Sequence, residues 1–156
     1  MAVCSEVTNG TDCVGGIVGW CQSGAVITEC AFHGDISYRD SRGIFGGICG
    51  YASRSTIINC ETTGSVRVRD EKDIQRSRIM MGGSCMGEIA GEMNGGFIKN
   101  CLAAGDILVN ENYSGYAGAI CGQVFFTGDN SEEKCYISDC KYLNKYPFCR
   151  NGSACK

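Results

Sequence analysis

Hydrophobic and polar positions recur along this chain in four copies of one pattern. Each copy opens with a glycine-rich segment around an isoleucine, and a second isoleucine follows, with a cysteine three residues after it. The first isoleucines are Ile17, Ile48, Ile89 and Ile120, and the later isoleucine and cysteine pairs are Ile27 and Cys30, Ile57 and Cys60, Ile98 and Cys101, and Ile137 and Cys140. Such internal repetition is typical of stacked supersecondary units.

The end of each copy alternates between apolar and other residues, as in Ile36 and Tyr38 or Ile107 and Val109. This period of two predicts a β-strand with one buried face, and helical spacing fits the pattern less well everywhere. A residue that tolerates positive φ precedes each of these strands, which predicts a left-handed corner. The corner positions are Gly34, Gly64, Gly105 and Asn144.

A repeat of this size cannot bury its apolar face alone, so the copies are expected to stack with isoleucine over isoleucine and cysteine over cysteine. We therefore predict an all-β fold, a β-solenoid of about four coils with inserted loops and capped ends. The four repeat cysteines should form one file through its interior. The chain is expected to be a single domain with an N-terminal cap at 1–13, four repeats at 14–148 and a C-terminal tail at 149–156.

The glycine core of the repeat resembles the GLUG motif. The core occurs as Gly16-Ile-Val-Gly19, Gly47-Ile-Cys-Gly50, Glu88-Ile-Ala-Gly91 and Ala119-Ile-Cys-Gly122. The resemblance implies a right-handed β-helix of the kind found as segments of large bacterial surface proteins, including some peptidases. In those proteins the motif is a non-catalytic spacer or binding module, so it implies no catalytic residues here. Glu88 replaces a glycine of the motif, and we expect it to face solvent or to pair locally.

Charge narrows the classes of partner, because 14 basic and 17 acidic residues give a net charge of −3 over 156 residues. This balance is unfavourable for a nucleic-acid binder. No apolar run approaches the roughly 18 residues of a membrane helix. The N-terminus lacks the basic start and apolar segment of an export signal. We expect a cytoplasmic protein if Met1 is native, and a cell-surface or extracellular one if the sequence is trimmed from a longer chain.

The cysteines are the main candidates for chemistry. Their odd number, 13, and the absence of an export signal argue against a complete disulfide framework and predict mostly reduced thiols. Four of them near the C-terminus form a candidate structural zinc site, with a disulfide in the cap or free thiols as alternatives. They are Cys135, Cys140, Cys149 and Cys155. His33, the one histidine, shares its repeat position with Thr63, Ala104 and Leu143, so we do not expect a Cys–His catalytic pair.

The connection after the second copy is the candidate for binding. From Arg67 to Arg78 it has five basic and three acidic residues, a net charge of +2. Insertions in solenoids lie at the surface and often carry binding function, although a solvated loop is the alternative interpretation. The candidate partner-binding residues are Arg67, Arg69, Lys72, Arg76 and Arg78.

These observations favour a non-enzymatic protein-binding module, since no nucleophile stands out with a base. Its size suits a small intracellular inhibitor, for example a phage-encoded one aimed at a host or defence protein such as a nuclease. The alternative, implied by the GLUG resemblance, is a structural or adhesive spacer segment of an exported bacterial surface protein.

Overall fold

We describe residues 12–38, 43–68, 84–108, 115–125 and 134–143 in a computed structural model of the chain. Their regular structure consists of β-strands, which confirms the prediction of an all-β fold. These ranges contain no helix long and apolar enough to cross a membrane.

Each repeat contributes an equivalent series of strands. The first has β1 at Asp12–Gly15, β2 at Val18–Gln22, β3 at Val26–Thr28, β4 at Ala31–Phe32 and β5 at Asp35–Tyr38. The second has β6 at Gly43–Gly46, β7 at Cys49–Ile58, β8 at Glu61–Thr62 and β9 at Ser65–Val68. The third has β10 at Cys85–Gly87, β11 at Ala90–Lys99, β12 at Leu102–Ala103 and β13 at Asp106–Leu108. The fourth has β14 at Tyr116–Gly118, β15 at Cys121–Phe125, β16 at Cys135–Ser138 and β17 at Lys141–Tyr142.

Equivalent strands of successive repeats pair in parallel and form four open sheets. The first sheet has the order β1-β6-β10-β14, and the central sheet has the order β15-β11-β7-β2, with β3 on β7 and β16 on β11. The third sheet is β17-β12-β8-β4 and the fourth is β13-β9-β5. In the central sheet the register aligns Ile27, Ile57, Ile98 and Ile137. Like residues therefore stack on like, as the repeat predicts.

The repeat cysteines form the predicted file beside these isoleucines. Cys60 Sγ lies 3.8 Å from the carbonyl oxygen of Ile27 in the preceding repeat, and Cys101 Sγ makes the same 3.8 Å contact with Ile57. Both cysteines are only 2% exposed. Burial raises the pKa of the Cys101 thiol to about 12, so this residue stays protonated and packs as a small apolar side chain. No disulfide joins the cysteines in the described ranges, and their redox state stays a prediction.

In every repeat a left-handed residue immediately precedes the cysteine, and our prediction of a left-handed corner at Gly34, Gly64 and Gly105 is wrong. The fourth predicted corner, Asn144, lies outside the described residues. None of those three glycines has a positive φ. The left-handed positions before the cysteines are Glu29, Asn59, Asn100 and Asp139, with φ of 54°, 55°, 51° and 55°. The later glycine is needed for space, because a Cβ at Gly64 would overlap the carbonyl oxygen of Gly34, and one at Gly105 would overlap that of Gly64.

The glycines of the GLUG-like core let the first and central sheets touch through their backbones. A Cβ on Gly50 would lie 2.7 Å from the backbone nitrogen of Val14. A Cβ on Gly91 would lie 2.7 Å from both the nitrogen and the oxygen of Phe45. Backbone approach this close leaves no room for a side chain. The buried interior includes Phe45, Ile48, Ile57, Met86, Ile89, Met93 and Ile98, each 1% exposed or less.

We expect Gly91→Ala to destabilise the protein by about 3 kcal/mol, because the new methyl group must push the two sheets apart. Urea unfolding followed by circular dichroism measures the effect. Gly24→Ala is the matched control, since its φ is 82° but a Cβ there would meet nothing within 4 Å. Gly24→Ala should lower the free energy of unfolding by only about 1 kcal/mol, the strain of alanine in the left-handed conformation. Equal losses in the two variants would contradict the backbone-contact interpretation.

Candidate functional site

The predicted basic cluster is only partly within the described residues. Arg69, Lys72, Arg76 and Arg78 lie outside them, and Arg67 lies in β9. Its guanidinium is 3.6 Å from a carboxylate oxygen of Asp35. Hydrogen bonds from the hydroxyl and backbone N–H of Ser65, at 2.6 and 3.0 Å, lower the pKa of that carboxylate, and Arg67 adds to the effect. Arg67 is therefore engaged in a local network, and the binding role of the connection stays a prediction.

Two of the four predicted zinc ligands are described, and both thiols pack against the interior. Cys135 Sγ accepts a hydrogen bond from the Gly95 N–H at 2.9 Å, and Cys140 belongs to the cysteine file. Cys149 and Cys155 lie outside the described residues. Within the described part of the chain no three His, Cys, Asp or Glu side chains converge as metal ligands. The zinc site stays a prediction.

His33 lies on the open surface between two neighbouring side chains. Its Nδ1 is 2.6 Å from Thr63 Oγ1, and its Nε2 is 3.7 Å from Glu61 Oε1. The imidazole and the Glu61 side chain are 58% and 47% exposed. An acid, imidazole and hydroxyl in this order need an enclosed site to act on a substrate, and these groups face solvent. The contact is the side-by-side pairing expected of one repeat position in adjacent coils.

The outer face of the central sheet carries aromatic side chains that our sequence analysis did not identify as a site. Trp20 packs on Tyr51 with ring centroids 4.8 Å apart and the planes tilted by 51°. Phe97 stacks on Tyr136 at 5.2 Å with the planes 13° apart. Trp20 is 60% exposed, Phe97 51% and Tyr136 49%. Val26, in the same register column as Phe97, is 64% exposed. Together they place apolar surface in contact with solvent.

A groove of about 470 Å³ opens on this face. Its lining consists of Arg54, Ser55, Thr56, Gly96, Phe97, Lys134 and Tyr136, and we call it the aromatic groove. The stacked rings supply apolar surface, the guanidinium and ammonium groups supply positive charge, and the hydroxyls can donate or accept hydrogen bonds. Such a lining can hold an anionic group that is joined to an apolar one.

The groove forms where the long strands of the central sheet bend. Backbone φ is positive at Arg54 (46°), Gly95 (73°) and Gly96 (103°). A Cβ on Gly96 would overlap the backbone of Ser55, so this position has no side chain to fill the groove. The groove is thus lined by residues at the bend and directly after it.

A second functional candidate is the carboxyl of Glu88, which is buried and 1% exposed rather than facing solvent. Its Oε2 accepts a hydrogen bond from Thr62 Oγ1 at 2.8 Å, so the expectation of a local partner is met. Its Oε1 has no hydrogen-bond partner among the described residues. Burial raises the pKa of Glu88 to about 7. The Thr62 hydrogen bond lowers this pKa and the charge of Asp106 raises it, but both effects are smaller than that of burial. Gly105 leaves space for the Glu88 carboxyl, because a Cβ on Gly105 would overlap Glu88 Oε2.

Scans of the chain against protein-family models, curated proteins and solved structures found no match. The GLUG resemblance therefore stays a prediction. The candidate site is assigned from the geometry of the central sheet alone.

We expect Glu88 to make folding stability depend on pH. Its pKa is about 7 in the folded protein and near the ordinary 4.5 when unfolded, so its contribution is fully present below pH 4.5 and is lost as the pH rises through 7. The total loss should be about 3 kcal/mol. Urea unfolding at a series of pH values measures it, and Glu88→Gln provides the comparison. If wild type and Glu88→Gln lose stability in parallel from pH 5 to pH 8, the assignment is wrong.

Proposed function

We propose that the chain is a right-handed β-solenoid of GLUG-like repeats that acts as a protein-binding module through the outer face of its central sheet. The observation that carries the proposal is the exposed stacked pair Phe97 and Tyr136 beside Arg54 in the aromatic groove. Tyrosine and arginine, with tryptophan, are the residues most enriched among those that dominate binding energy at protein interfaces.

The scaffold suits this role because the aromatic residues are placed on paired strands. Phe97 lies in β11, which pairs with a neighbour on both sides. Its ring therefore loses little conformational freedom when a partner covers it, which reduces one of the main costs of association. Trp20 and Val26 extend the apolar surface of the same face.

Binding fits the groove better than catalysis does. Arg54, Lys134 and Tyr136 are the ionisable side chains of its lining. These three side chains do not include a nucleophile with a neighbouring general base. Cations beside aromatic rings suit the binding of an anionic ligand.

The narrower prediction, an intracellular inhibitor of a host or defence protein, is one form of this module. The basic residues Arg67 to Arg78 are proposed as a second contact surface. The spacer role implied by the GLUG resemblance is the alternative. It needs only the stacked sheets, and it predicts that substitutions in the aromatic groove have no effect on function.

We expect the double variant Phe97→Ala/Tyr136→Ala to lose partner binding by at least about tenfold while it stays folded, because it removes the exposed ring pair. Affinity capture from the source cell with the wild-type chain identifies the partner, and calorimetry with that purified partner gives the affinities. Leu108→Ala is the matched control, since Leu108 is 48% exposed but lies in the fourth sheet. Equal affinity of the double variant and the wild type would refute the proposal.

A further inference from the structure

We infer that the aromatic groove binds an extended acidic segment of the partner, with a carboxylate between Arg54 and Lys134 and an apolar or aromatic side chain on the Phe97–Tyr136 pair. The inference rests on the proposed function and specifies the chemistry of the ligand.

The two cations occupy one column of the central sheet. Ser55 is in register with Gly96, and Gly96 with Cys135, so the preceding residues Arg54, Gly95 and Lys134 align. Adjacent parallel strands are roughly 4.8 Å apart, which separates the backbones of Arg54 and Lys134 by roughly 10 Å. The rung between them is Gly95, which has no side chain. The two cations therefore flank a backbone position that carries no side chain, and we infer that the anion binds over it.

Neither cation is neutralised within the described ranges, where the Arg54 and Lys134 side chains make no ion pair or hydrogen bond. Arg67, in contrast, pairs with Asp35. The lining of the groove holds these two cations and no acidic residue. A guanidinium binds a carboxylate through strong charge-assisted hydrogen bonds, which identifies the anionic part of the ligand.

Arg54 occupies a backbone conformation that disfavours it. Its φ is 46°, and the next repeat has glycine, with a φ of 73°, at the same position of the column. Glycine adopts this conformation without strain, whereas another L-residue does not. The arginine thus lowers stability relative to glycine and places a cation at the groove, which is the usual relation between local strain and a functional position.

A peptide matches this geometry better than other anions. Residues two apart in an extended peptide lie on the same face, so a carboxylate and a ring with that spacing can reach the cations and the aromatic pair together. The overall negative charge opposes a polyanion such as a nucleic acid.

The test uses a short fluorescein-labelled peptide in which glutamate, phenylalanine and glutamate alternate with serine, with binding followed by fluorescence anisotropy. The wild-type chain should bind it, and added salt should weaken the binding. Arg54→Gly should weaken binding by about tenfold while its thermal midpoint stays equal or rises, because glycine suits the bend. Lys134→Gln should also weaken binding. Lys99→Gln, a control at an exposed position of β11 outside the groove lining, should bind like the wild type.

The inference is overturned if Arg54→Gly binds the peptide as tightly as the wild type. It is also overturned if a peptide with serine in place of phenylalanine binds equally well, or if inorganic phosphate or an oligonucleotide competes as effectively as unlabelled peptide. If the wild type does not bind the peptide while partner capture still depends on Phe97 and Tyr136, this inference fails and the protein-binding function stands. If partner capture is also independent of those rings, both fail.

Discussion

The whole fold depends on backbone hydrogen bonds between equivalent residues of successive repeats. The N–H of Ile17 donates to the carbonyl of Ile48, that of Ile48 to Ile89, and that of Ile89 to Ile120, at 3.1 to 3.2 Å. Because the partners lie in the adjacent repeat, one repeat alone cannot satisfy its buried backbone groups. Each repeat is therefore stable only when its neighbours have the same geometry. This requirement explains why the same kinds of residue recur at the same positions.

The requirement acts most strongly where backbones meet. Gly50 and Gly91 lie against strands of the first sheet, and any side chain there would separate the two sheets. Glu88 stands at a glycine position of the repeat and places a carboxyl in the interior. This carboxyl needs both the hydrogen bond from the Thr62 hydroxyl and the space that Gly105 leaves free. A single irregular residue is thus compensated by residues of two other strands or turns, because the interior is densely packed.

The apolar columns could be predicted from the sequence because their spacing directly reports which positions face inward, and the cysteine file followed from them. The left-handed position could not, since glycine serves equally for positive φ and for close approach. In the second repeat Asn59 has the positive φ, whereas Gly64 lies against the backbone of Gly34. The burial of Glu88 was missed because a lone carboxyl is normally exposed. The available signal for the aromatic groove was Phe97 and Tyr136, which each stand one residue before an isoleucine of the repeat column and therefore face outward together.

The bend of the central sheet connects this fold with its proposed function. The third repeat has Gly95 with a positive φ at the bend, and the first has Ser23 and Gly24, both with positive φ. The second repeat has Arg54 there, and the fourth has Lys134 after its insertion. The second and fourth repeats, which have a basic residue at this position, thus supply both cations of the groove. Such departures are tolerated because the side chains point outward, away from the backbone contacts that hold the sheets together. In a repeat protein whose inward positions must be uniform, specific recognition can arise only at outward positions where the copies differ.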